Sequence, residues 1–372
     1  MKYQRCTQCV MDTSEPKITF DKNGICNHCH KFQTRTKTEL FSKKRRDLLL
    51  KRIKAKKKGK YDCIIGVSGG VDSTFLAYLV KEKFKLNPLA VHLDNGWNSE
   101  LAVSNIHKTL TKLKIDLHTE VIDWDEFRDL QIAFLKSSIA DSEVPSDHAI
   151  TATLYRTAAR FNISFILNGG NVATEGILPE SWVWSHLDFD IIKDIHKKFG
   201  NKKLKTFPTL SLPRLAYYMF FRKIRNIPLL NYLDFNKQEA KKIITEKLGW
   251  EDYGGKHFES IYTRFFQAYI LPKKFNIDKR LPHLSTLILS KQLNRDHALK
   301  QLKKQPYPSE TLLKRDKDYV IKKFELTQAE FESIMSSKPQ PYTKYKSHFH
   351  FIKKHKKIAL KLRNIMLGNS CD

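Results

Sequence analysis

"YDCIIGVSGGVDSTFLAYLV", residues 61–80, places Ser68-Gly69-Gly70 between an apolar run and an amphipathic one, and follows it at once with Asp72 and Ser73. The run at 61–67 reads as a buried strand and the pattern at 72–84 as a helix. A plain strand-turn-helix junction needs one glycine, not Ser-Gly-Gly-x-Asp-Ser. A Walker loop requires Lys and then Ser or Thr after its last glycine; none occurs here, and "GWEDYGGKHF" (249–258) has the wrong spacing and no hydroxyl after Lys256. Gly66-Val67-Ser68-Gly69-Gly70 does satisfy G-x-S-x-G. A hydrolase elbow, however, lies deeper in the sheet order, and the chain offers no clear Asp and His partners for a triad.

The remaining reading is a cradle for pyrophosphate. Glycines let the backbone approach phosphate oxygens closely, and successive N–H groups at a helix N-terminus supply positive potential. Ser68 and Ser73 add hydroxyl donors, whereas Asp72 would repel bare phosphate and makes sense as a ligand to magnesium. Ser68 to Ser73, after a first strand, resembles the PP-loop of ATP pyrophosphatases, which cut ATP between its α- and β-phosphates.

Further strands are expected at 87–96, 117–123 and 163–171, alternating with helices at 99–113, 124–137 and 147–162. This alternation predicts an α/β fold with a parallel sheet, in which ligands bind beyond the carboxyl ends of the strands. Asp94 to Trp97 and Gly169 to Glu175 fall at such ends. The expected fold is a PP-loop, adenine nucleotide alpha hydrolase-like domain at 59–233. A zinc knuckle and basic connector (1–58) precede it, and a mainly helical region (234–372) follows. "NKQEAKKIITEKLG" opens that region, with Asn236 as N-cap and Gly249 as C-terminal glycine. "HLSTLILSKQLNRDHALKQLKK" and "YTKYKSHFHFIKKHKKIALKLRNIM" are further helical candidates. The apolar stretch "LAYYMFFRKIRNIPLL" (215–230) is short and broken by charge, so it is read as a surface or interfacial helix.

Charge is uneven: residues 1–60 hold 18 Lys+Arg against 5 Asp+Glu, while residues 91–190 hold 7 against 15, within a net charge of +28. A basic shell of this kind suits an anionic membrane face or nucleic acid, but only 16 of the 67 cations are Arg, which argues against nucleic acid. With no transmembrane-length apolar run and no apolar signal stretch, a cytoplasmic location is expected. Cys6-x-x-Cys9 and Cys26-x-x-Cys29 form a two-knuckle pattern whose four thiolates suit structural zinc, with His28 and His30 as neighbouring substitutes. Cys63 falls in the first strand and Cys371 near the C-terminus, so no cysteine is left as a glutaminase nucleophile.

The resemblance extends beyond the loop. "VHLDNGWNSELAVSNI", "VIDWDEFRDLQIAFLK", "PSDHAI", "LNGGNVATEGILP" and "DYGGKHFESIYTRFFQAYILPKKFNIDKR", with the paired cysteines, are similar to bacterial N-acetyl sugar amidotransferases of surface-polysaccharide synthesis, from Cys6 to about Gln305. That resemblance implies conversion of an acetamido group on a nucleotide-linked sugar to an acetamidino group. ATP and ammonia are consumed, AMP and pyrophosphate leave, and the ammonia comes from a glutaminase chain with a synthase-like channel partner. It implies ATP bound by Ser68, Gly69, Gly70, Val71, Asp72, Ser73, Asp94, Gly169 and Gly170, and magnesium held by Asp72 and Glu175. Asp72, Lys256 and Arg264 are assigned to the reacting centre, the last two because they follow the Gly254-Gly255 turn; Lys273 and Lys274 extend this cationic block. Asn95, Trp97, His257 and Arg280 are assigned to the sugar. The alternative is a PP-loop tRNA-modifying enzyme, a thiolase or lysidine-type ligase, of which a thiolase needs a reactive cysteine or an iron–sulfur cluster near the ATP.

Overall fold

A computed structural model describes residues 2–256 and 258–348. His257, Cys371 and most of the last helical candidate lie outside the described residues. Two helices, α1 (Asn27–Glu39) and α2 (Lys43–Ala55), precede the sheet. The chain then alternates: β1 (Cys63–Gly66), α3 (Val71–Tyr78), β2 (Pro88–Asp94), α4 (Glu100–Leu113), β3 (Asp116–Val121), α5 (Trp124–Ser137), α6 (Val144–Arg160), β4 (Phe165–Asn168). After α7 (Val172–Glu175), α8 (Phe189–Phe199) and α9 (Leu212–Ala216) comes β5 (Arg225–Pro228). The helical remainder comprises α10 (Lys237–Leu248), α11 (Ile261–Phe265), α12 (Leu271–Phe275), α13 (Arg280–Leu289), α14 (Arg295–Leu302), α15 (Glu310–Lys323) and α16 (Gln328–Ser336).

All five strands are parallel, in the order β3-β2-β1-β4-β5. The order reverses between β1 and β4, so their carboxyl ends diverge to leave a crevice there. Period-two alternation sorts the side chains of each strand to opposite faces. Cys63, Ile65, Ala90 and Leu167 pack under α3, α4 and α10, while Ile64, Leu89, Val91 and Ile166 pack under α6 and the segment after α9. Each fully buried Ile or Leu contributes on the order of 1.5–3 kcal/mol.

A third core joins distant parts of the chain. Val10 and Met11 of the cysteine knuckle, Phe134 of α5, Ile192 of α8 and Phe265 and Phe331 of the C-terminal helices share one apolar cluster. The knuckle therefore packs on the helical region as well as on the connector, and α10 packs on the sheet's own helices.

The expected interfacial helix at 215–230 is not one element. Its first residues complete α9 and a wide helical turn (217–221), and its last form β5, paired with β4 through Phe165↔Arg225 to Asn168↔Pro228. Leu215, Tyr218, Ile224 and Ile227 face inward and serve the sheet, while Tyr217, Phe220 and Phe221 stay exposed. No helix among the described residues is long and apolar enough to cross a membrane.

A nucleotide cleft and a four-cysteine centre

The loop after β1 turns sharply because Gly69 has φ +78°, and a Cβ there would stand 2.5 Å from the Ala102 carbonyl oxygen. Trp250 Nε1 donates to Gly69 O at 2.8 Å and fixes the turn from below. Ser68 Oγ and Ser73 Oγ lie 3.2 Å apart, and Ser68 N donates to Ser73 Oγ at 3.3 Å. Both hydroxyls thus face each other across the start of α3. The loop after β4 closes the other side: a Cβ on Gly169 would meet the Asp72 backbone oxygen at 3.1 Å, and Asn171 Nδ2 reaches Asp72 Oδ2 at 3.5 Å.

These two loops meet at the crevice and line a cavity of about 190 Å³ with Asp72, Glu175, Lys237, Tyr253, Lys256 and Glu259. That volume suits a pyrophosphate, not a whole nucleotide. Lys237, Tyr253 and Glu259 were not among the residues singled out from the sequence. Tyr253 Oη accepts from Val71 N at 3.3 Å, and burial pushes its phenol up. Lys237 enters from the first turn of α10, and burial holds its ammonium below the usual lysine range against the attraction of Asp72. Glu259 belongs to a strap tied to the loop after β2: Ser99 N donates to Glu259 O at 2.8 Å, and Asn98 and Ser260 form an antiparallel bridge. Asn236 and the Gly254-Gly255 turn were the nearest sequence signals to these residues.

Donor chemistry fits a magnesium–nucleotide pair. Asp72, Glu175 and Glu259 supply hard carboxylate oxygens, while Lys237, Lys256 and the α3 N-terminus supply positive potential for phosphate. Lys256 Nζ lies 3.2 Å from Glu175 Oε1.

Asp94 ends β2 and accepts from Gly96 N at 2.9 Å and Asn98 Nδ2 at 3.4 Å. It borders a broad groove of about 800 Å³ between α4 and β3. Asn95 Oδ1 accepts from Trp97 N at 3.2 Å, so its side chain shapes the same turn.

Three assignments are corrected. Trp97 does not offer a stacking face: it is 1% exposed, donates to Gln131 Oε1 at 2.7 Å and packs against Tyr262 and Phe324. Arg264 is a buried structural cation, bound to Asp316 by Nε at 2.7 Å and Nη2 at 2.9 Å. Arg280 holds Asp278 at 2.7 Å and donates to Lys304 O at 2.7 Å, away from the cleft lining. Lys274 is likewise committed, donating to Ser138 Oγ and Ser337 Oγ at 2.9 Å, and burial lowers it to about 8.

Cys6, Cys9, Cys26 and Cys29 are buried, with their sulfurs all within 4.8 Å of one another. Three of the sulfur pairs lie at 3.7 Å. A tetrahedron with metal–sulfur bonds of about 2.3 Å has edges of about 3.8 Å, so the set is sized for one ion. A four-iron cluster would hold each thiolate on a different iron and spread them further. Cys26 N donates to Cys6 Sγ at 3.2 Å, which stabilises thiolate charge. His28 and His30 are not ligands: they pair with Glu15 at 2.9 Å and Asp21 at 3.0 Å. Arg295 clamps the knuckle from α14, donating to Cys9 O at 3.0 Å and Cys6 O at 2.9 Å. Cys63 lies fully buried in β1, and burial pushes its thiol up.

Residues 43–166 match the family described as NAD synthase, and residues 259–358 match the one described as LPS biosynthesis protein WbpG-like, C-terminal domain. With the topology above, these matches define a PP-loop α/β domain with a mainly helical C-terminal region and a four-cysteine cluster near the N-terminus. They support an ATP-dependent enzyme of the ligase type. An uncharacterised protein of Methanocaldococcus jannaschii is 27% identical over 314 residues, 82% of this chain and 95% of that protein. Among solved structures, the U34-tRNA thiolase NcsA of Methanococcus maripaludis, with its 4Fe-4S cluster, is 15% identical over 82% of this chain and 89% of its own, at a TM-score of 0.32. The NH3-dependent NAD synthetase of Campylobacter jejuni is 17% identical over 75% and 99%, at a TM-score of 0.30.

Proposed function

We propose that the protein is an ATP-dependent, AMP-forming amidotransferase that converts the acetamido group of a nucleotide-linked sugar into an acetamidino group with ammonia. The observation that carries this reading is where Glu259 sits. It opens the segment matching the LPS-biosynthesis family and also lines the pyrophosphate-sized cavity next to the Ser68–Ser73 loop of the NAD-synthase-matching segment. In this reading sugar recognition and ATP cleavage would share one wall.

Behind the cradle a second chamber of about 370 Å³ shares Gly170, Glu175 and Lys256 with it, and adds Gln267, Lys279 and His283. It has room for an acetamido sugar ring beside the α-phosphate. Gln267 Nε2 is held by Glu143 at 2.9 Å, which leaves its carbonyl to accept from an amide N–H. In this reading the amide oxygen attacks the α-phosphorus and pyrophosphate departs. Ammonia then adds to the imidate carbon, and AMP leaves as that carbon regains its double bond. A magnesium ion held by Asp72 and Glu175 would neutralise phosphate charge. Lys237, Lys256 and the α3 amides hold the leaving pyrophosphate, so catalysis rests on positioning and electrostatics.

Zinc on the four cysteines is a structural part of this proposal, since a closed thiolate shell leaves no open position for chemistry. The tRNA-thiolase alternative has less support, because Cys63 is the cysteine nearest the loop in sequence and its thiol is buried and protonated. The test is AMP release across a panel of UDP- and CMP-linked N-acetyl sugars with ammonium. The expected result is release dependent on one of them. Release dependent instead on tRNA would overturn the reading.

A further inference from the structure

Beside the edge strand β3, on the face of the sheet covered by α6, four of the chain's 16 arginines converge on one groove of about 450 Å³. Arg156 and Arg160 come from the last turns of α6, and Arg214 and Arg222 flank the helical turn after α9. Glu120 is the one acid lining the groove; it meets Arg156 at 3.3 Å, and the lining keeps a surplus of positive charge. Arg222 is held in place by its bond to Ala159 O at 2.8 Å.

The same turn projects apolar rings outward. Phe221 is 78% exposed, Tyr217 47% and Phe220 46%. Tyr217 and Phe221 stack on each other at 6.0 Å. The opposite side of this segment, Leu215, Tyr218 and Ile224, is locked into the core over β1, β2 and β4. The wedge is therefore preformed, and the rings gain nothing from the fold by facing water. Exposed phenylalanines that cluster at one turn are costly in solution unless something covers them.

We propose that this surface docks the protein on an anionic lipid bilayer, with Tyr217, Phe220 and Phe221 entering the headgroup–acyl boundary and the arginines pairing with lipid phosphates. Aromatic rings flanked by cations match that interface in depth and charge. RNA is the less favoured partner: bases stack on free ring faces, and Tyr217 and Phe221 each use one ring face on the other. The groove shares no lining residue with the cleft, and the inference does not depend on the proposed reaction.

The test is flotation of the full chain with phosphatidylcholine vesicles and with vesicles rich in phosphatidylglycerol. Wild type should float with the anionic vesicles and not with the neutral ones. The double substitution Phe220→Ser/Phe221→Ser should weaken partitioning about tenfold or more. Its melting temperature should fall by no more than a few degrees, because neither ring is in the buried core. Arg160→Gln, which keeps both rings, should weaken it at low salt and less at high salt. Equal partitioning to neutral vesicles, or unchanged anionic binding in the double variant, would overturn the proposal. So would a wild type that retains tRNA and not vesicles and loses the tRNA in the same variants.

Discussion

Lys256 Nζ and Glu175 Oε1 stand 3.2 Å apart at the boundary between the pyrophosphate-sized cavity and the chamber behind it. A carboxylate proposed to bind magnesium and an ammonium proposed to bind phosphate thus hold each other without nucleotide. On the proposed roles, binding of the magnesium–ATP pair would replace this contact with one from each side chain to the ligand. Lys256→Met should therefore lower the half-saturating magnesium concentration while raising that of ATP. A change of about tenfold corresponds to one interaction of about 1.4 kcal/mol. Glu175→Gln should raise the magnesium requirement, and Asp72→Asn should depress turnover on the order of a hundredfold or more. If Lys256→Met moves neither constant, the pair is an ordinary rim salt bridge.

Arg264 and Asp316 give a sharper test of the corrected assignment. The pair is buried, and Tyr307 Oη donates to the same carboxylate at 2.8 Å. Arg264→Ala should cost about 3–5 kcal/mol, because it strands a buried charge. Replacing both partners with apolar residues, Arg264→Met/Asp316→Leu, should restore most of that stability. Activity should return with it. A stable but inactive double variant would put Arg264 back in the chemistry.

The cradle was legible because its chemistry is local: Ser68 to Ser73 and Gly169-Gly170 carry their own turn geometry within a few residues. Lys237, Tyr253 and Glu259 were not, because they reach the cleft only through pairings far along the chain, such as Ser99 with Glu259. Trp97 and Arg264 misled for the same reason in reverse. Position after a strand or a glycine turn makes a residue look available, but the partners that bury them, Gln131 and Asp316, are 34 and 52 residues away. The fifth strand hid in an aromatic run with no period-two pattern, since only Ile227 of its four residues is fully buried.

For the cysteine centre, the purified chain should contain about one zinc, tetrahedral and without visible absorption. Cys9→Ser or chelation should release it and lower the melting temperature by several degrees. Arg295→Ala should weaken retention of the metal without touching a sulfur, since it removes both bonds to the knuckle carbonyls. Iron–sulfur absorption, or a metal-free chain of equal stability, would refute this assignment.

Asp141 predicts a pH signature. Burial raises its carboxyl to about 6, with Lys279 opposing and Glu143 reinforcing the shift. A folded-state value above the unfolded 3.8 means the protonated form is favoured by folding. That stability is complete below the unfolded value and is lost as pH rises through about 6. Asp141→Asn, which can still accept the Trp184 N–H now bound at 3.1 Å, should thus raise the melting temperature at about pH 8 and change it little at about pH 4. A uniform effect across pH would remove Asp141 from this role.

The source of nitrogen follows from the cysteines. A glutaminase needs a nucleophilic thiolate. Cys6, Cys9, Cys26 and Cys29 are committed to one buried cluster, with sulfurs 3.7 Å apart in three pairs. Cys63 is sealed in β1 with its thiol held protonated by burial. Among the described residues no cysteine remains that is both free and reachable. On the proposed reaction ammonia would come from outside the chain, so the chain alone should release AMP with concentrated ammonium salt but not with glutamine. Adding a separate glutaminase with its channel partner should make glutamine the better donor, and the advantage should vanish when that glutaminase's own nucleophile is alkylated beforehand. Hydrolysis of glutamine by the isolated chain at a rate matching AMP release would show that one of these cysteines, or Cys371, has been misassigned.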